Sequence, residues 1–125
     1  MLNPVEVING RIPRFGDPLL LNLGGRGIRE IVRWRDRYVI VGGAYDGNEN
    51  SKLFEWTGGS AQPRELSSIT FTNFNPEAII VYPDAARPFQ VLSDDGTMLI
   101  NGVACKSVAN ANLKRFRAVW VSLPD

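Results

Sequence analysis

The sequence predicts an all-β protein built from antiparallel hairpins. Three observations carry that prediction: short β-branched and aromatic runs, their punctuation by Gly, Pro and Asp, and the return of the same order in the second half. The first run, Ile28-Arg29-Glu30-Ile31-Val32-Arg33-Trp34, follows Gly24-Gly25-Arg26-Gly27 and precedes Arg35-Asp36-Arg37, so it reads as a strand entering a tight turn. Tyr38-Val39-Ile40-Val41 comes next and stops at Gly42-Gly43. A strand apolar on both faces must be covered on both. After a loop from Ala44 to Ser51, Lys52-Leu53-Phe54-Glu55-Trp56 forms a third strand, stopped by Thr57-Gly58-Gly59-Ser60, and Arg64 to Ile69 is a weaker fourth.

With Glu30 set against Glu77, the order repeats at a spacing of about 47 residues. Glu77-Ala78-Ile79-Ile80-Val81-Tyr82 leads into a turn from Pro83 to Pro88, then Phe89-Gln90-Val91-Leu92-Ser93. Asp95-Gly96 is a hairpin signal, which makes Thr97 to Gly102 the third strand of the second unit. Arg115 to Leu123 alternates with Phe116, Ala118 and Trp120 on one face and is the clearest strand pattern in the chain. Ser107 to Lys114 fits a short helix or a loop equally, given Asn110 and Asn112. Four strands repeating every 40–50 residues or so is the signature of a β-propeller blade. The chain thus reads as a single domain, 1–125, with blade-like units at 28–69 and 77–123. A β-sandwich or barrel is the alternative architecture.

Several segments resemble a bacterial propeller family known only as a domain of unknown function, which neighbours the esterase-like phytases. The resemblance rests on Gly25 to Ile31, Tyr38 to Gly43, Leu53 to Trp56, Pro76 to Ile79, Val91 to Gly96 and Phe116 to Val119, and it spans residues 19–123. It implies the C-terminal part of a larger ring, although the N-terminal blades of the family are not matched. The resemblance therefore implies either one piece of a ring or an assembly of several copies. A two-blade unit leaves broad apolar faces bare, and a homo-oligomer would cover them.

Composition narrows the chemistry. A formal charge of +1 with scattered Lys and Arg does not fit a nucleic-acid binder, and the longest apolar runs fall far short of the ~20 residues that span a bilayer. The start, Met1-Leu2-Asn3-Pro4-Val5-Glu6, lacks the basic and apolar regions of a secretory signal, which points to the cytoplasm, while the resemblance leaves room for secreted relatives. There is no histidine, so Ser-His-Asp and Cys-His nucleophiles and His-ligated transition metals are ruled out. Cys105 stands alone and reads as a small buried apolar residue. Any metal would be a hard cation on oxygen ligands, which means calcium or magnesium.

Four features compete with structural explanations. Glu30, Glu77, Asp94 and Asp95 could gather as a metal site, and the phytase-like resemblance implies calcium there. Against that, Asp94-Asp95 would shape a turn and Glu77 would pair with an arginine such as Arg29. Asp46-Gly47-Asn48-Glu49-Asn50 has oxygen spacing like a calcium loop, but Ser51 and Thr57 stand where that loop needs Gly and Glu. Arg26 in its glycine turn, with Arg29 nearby, is a candidate anion ligand, against a plain turn. Trp34, Tyr38, Phe54, Trp56, Phe71, Phe74 and Trp120 could form a stacking surface, against core packing. No catalytic set emerges. The expected function is a non-catalytic binding or scaffold module, with a calcium-dependent phosphoesterase remnant or a carbohydrate or small-ligand binder as alternatives.

Overall fold

The computed structural model describes residues 1–44, 50–84 and 88–123. Its regular structure is mostly antiparallel sheet with little helix, so the all-β expectation holds. Strands β1 (Gly27–Trp34), β2 (Arg37–Gly43), β3 (Lys52–Trp56) and β4 (Arg64–Glu65) form a four-stranded meander. A second sheet begins with β5 (Pro76–Ile80) and β6 (Phe89–Ser93). The chain then leaves it to form a small hairpin, β7 (Leu99–Ile100) with β8 (Val103–Ala104), and returns as β9 (Ala118–Val121) on the free side of β6. Neither sheet closes on itself.

The second sheet therefore differs from the expected four-strand order. Asn101 and Gly102 both adopt positive φ, 52° and 82°, and turn the chain back after Ile100 so that Ile100 pairs with Val103. That is the geometry of a two-residue hairpin turn, and it pre-empts the one expected at Asp95-Gly96. With Thr97 to Gly102 diverted, β9 takes the third place. The Ser107 to Lys114 stretch resolves into single 3-10 turns at Cys105–Ser107 and Ala111–Leu113.

One core lies between the two sheets. Trp34, Val39, Val41 and Leu53 of the first meet Ile79, Phe89, Val91 and Val121 of the second, and Trp34 meets Phe89 edge-on at 5.5 Å. A smaller cluster lies on the far face of the first sheet, where Leu23 and Leu21 cover Ile40, Phe54 and Trp56. Both faces of β2 are thus buried, as its sequence required.

The ladders show how the sheets are related. In the first, Ile28 pairs with Gly42 and Glu30 with Val41, leaving Arg29 as a bulge. In the second, Pro76 pairs with Ser93 and Ala78 with Leu92, leaving Glu77 as the bulge. The structural counterpart of Glu77 is therefore Arg29, one residue from the alignment with Glu30. Counterpart residues then face opposite ways. Val39 and Val41 point into the shared core, whereas their counterparts Gln90 and Leu92 point away from it; Ile40 points away, and its counterpart Val91 points in. The sheets stack front to back, not front to front.

Before the sheets, an N-terminal arm carries a short helix, α1 (Pro4–Ile8). The buried Asn3 side chain bonds the Ile12 carbonyl and the Arg14 N–H, and Arg14 pairs with Glu6 at 3.2 Å. Asn3-Pro4 with Glu6 in the first turn is a helix-start signal. Five residues are too few to register as an apolar period.

Candidate functional site

At one end of the sheets, the two bulges meet directly, beside a polar cleft of about 570 Å³ that Arg29, Asn75, Asp94, Asp95 and Arg117 help to line. Arg29 donates to Glu77 at 2.8 Å and to the Ala44 carbonyl at 3.2 Å. Its side chain lies over Gly43, where any Cβ would collide with it, so the glycine leaves the room that this pose of Arg29 occupies. Asp95, buried beneath the cleft, accepts from the Ser93 hydroxyl at 2.8 Å and from Arg117 three times: the backbone N–H at 2.8 Å, Nε at 2.9 Å and Nη2 at 2.7 Å. Ser93 in turn accepts from the Asn75 N–H. The Arg117 bonds hold the Asp95 carboxyl down at about 2, helped by Ser93 and opposed by burial. Such a carboxylate has its acceptor capacity filled and is a poor base. It ties the entry to β9 onto the end of β6, and that is a structural task.

The other expected site residues lie apart from this group or in turns. Asp94 is exposed, and its carboxylate accepts the Gly96 N–H at 2.9 Å, the turn-shaping role. Glu30 accepts the N–H of Ile31. Arg26 reaches the Asn50 and Gly24 carbonyls from a turn in which Gly24 and Gly25 have φ of 62° and 80°. Asp46, Gly47, Asn48 and Glu49 lie outside the described residues. Among the described residues, no group of three or more His, Cys, Asp and Glu side chains could hold a metal ion.

No family model, curated protein or solved structure matches this chain. The site must be read from its own surface.

The most distinctive surface is the outer face of the second sheet. Ala78, Ile80, Tyr82, Leu92, Ala118 and Trp120 share it by ladder register and by contact. Ile80 is 40% exposed and Trp120 55%, although most of the other aromatics lie in or against the core. The expectation of core packing thus fails for Trp120. Strand alternation explains why: Val121 turns into the core, and Ala118 and Trp120 turn out. Tyr82 holds the indole at 5.3 Å and donates to Gln90 at 2.6 Å. Beside the free edge of β9, a groove of about 550 Å³ is lined by Thr70, Phe71, Thr72, Val119 and Trp120. Cys105 is buried as expected, with its thiol against the Arg115 carbonyl.

Proposed function

We propose that the chain is a non-catalytic binding or scaffold module, made of two propeller-type blades and assembling through the outer face of its second sheet. The observation that carries this reading is the front-to-back relation of the sheets. The face that the first sheet buries through Val39 and Val41 corresponds to the face that the second sheet leaves open at Gln90 and Leu92. A surface built like one side of a blade contact fits a second copy of the chain. Its apolar centre, Ile80, Leu92 and Trp120, with Gln90 and Tyr82 beside it, has the make-up of an interface core and margin. The propeller family resemblance is consistent with the same stacking.

The carbohydrate alternative is less well supported, because Tyr82 and Trp120 lie against each other at 5.3 Å and do not present two open ring faces. The calcium alternative loses two of its four carboxylates to Arg29 and Arg117.

Light scattering on wild type and Trp120→Glu tests the reading. Wild type should have a mass that is a multiple of 13.9 kDa, and the variant should fall toward 13.9 kDa with an unchanged far-ultraviolet circular dichroism spectrum. A variant with the wild-type mass would refute this face as the contact.

A further inference from the structure

We infer that the occupant of this outer face is the N-terminal arm of a second copy, so that copies stack head to tail. The inference rests on the assembly reading above and specifies the partner surface. Three observations converge on it.

The first is layer order. From one side to the other, the molecule runs Leu21 and Leu23 at the end of the arm, first sheet, core, second sheet, and then the open face. Front-to-back stacking within the chain is directional, so repeating it between copies brings the open face of one copy to the opposite side of the next. That opposite side is the far face of the first sheet, which Leu21 and Leu23 already cover. An incoming copy therefore meets the end of the arm around Leu20 to Leu23.

Second, the arm presents apolar side chains that its own chain does not bury. Ile8 is 85% exposed, Ile12 84%, Phe15 68%, Leu19 61% and Leu20 85%. This density of apolar exposure within twenty residues is the mark of an interaction surface. It matches in character the Ile80, Leu92 and Trp120 patch that it would meet.

The arm is also shaped in advance. Asn3 clamps Ile12 and Arg14, Arg14 pairs with Glu6, and Gln62 fixes the end of the arm by accepting from the Asn22 N–H at 2.9 Å and donating to the Leu20 carbonyl at 3.3 Å. Docking a prefolded arm loses little conformational entropy. Leu20 is held at the edge of the covering layer, next to Leu21, and is the arm residue set to enter the neighbouring face.

Thiol cross-linking with a short bismaleimide tests this arrangement. Leu20→Cys and Ile80→Cys are made as separate proteins, and wild type with only its buried Cys105 is the blank. Mixing the two variants should give linked dimers that neither gives alone, because a head-to-tail contact joins unlike surfaces. Leu20→Glu should weaken association about tenfold or more, since it puts a charge where a large apolar side chain is buried. Ile80→Cys linking to itself would indicate a two-fold contact and overturn the inference. So would no link between the mixed variants while the assembled mass persists; each of these leaves the assembly reading intact. A mass of 13.9 kDa for wild type at every concentration would instead remove the reading itself.

Discussion

Replacing Asp95 with asparagine removes a buried carboxylate that joins β6 to the approach of β9. Its side chain is 2% exposed, and it accepts four hydrogen bonds, three of them from Arg117. The carboxyl titrates at about 2 in place of its ordinary 3.8. At roughly 1.4 kcal/mol per pH unit, that gap contributes about 2 kcal/mol to folding. Because the folded value lies below the unfolded one, the contribution is complete above about pH 5 and is lost as the pH falls through 3.8 toward 2. Urea unfolding at a series of pH values, on wild type and Asp95→Asn, isolates the effect from that of the other carboxylates. The variant should be about 2–3 kcal/mol less stable at pH 7. The difference should shrink toward zero near pH 2. Parallel stability curves from pH 7 to pH 2 would refute the ion pair as a folding contact.

Three further outcomes follow from the same contacts. Trp34→Ala empties the centre of the core against Phe89 and should cost about 3–5 kcal/mol, read as a lower urea midpoint with one cooperative transition. A double-mutant cycle on Arg29→Ala and Glu77→Gln should give a coupling under about 1 kcal/mol, because both side chains are about a third or more exposed. Millimolar calcium should leave the melting temperature unchanged, since Glu77 and Asp95 are already paired with arginines; a rise that Glu77→Gln abolishes would restore the metal reading.

The strands that could be read from the sequence were those where local propensity and burial agree. β2, β3, β5 and β6 are β-branched or aromatic runs that end at or near Gly, Pro or Ser, β1 is one that stops at the Arg35-Asp36 turn, and the structure keeps all five within a few residues. The third strand of the second unit was not readable. Two X-Gly pairs, Asp95-Gly96 and Asn101-Gly102, compete for one hairpin, and only φ at Asn101 and Gly102 decides between them. The site was half readable. Glu77 with Arg29 followed from charge and spacing, whereas Arg117 sits 22 residues from Asp95 and carries no local signal. The exposure of Trp120 depends on strand parity, which a shift of one residue reverses. The arm went unread because its apolar residues follow neither a helical nor a strand period.

Sedimentation equilibrium of the wild-type chain, from micromolar to near-millimolar, tests the central claim most directly. Stacking through the outer face of the second sheet predicts a mass that rises with concentration above 13.9 kDa through its multiples. A mass of 13.9 kDa across the whole range, with the chain folded, would contradict it.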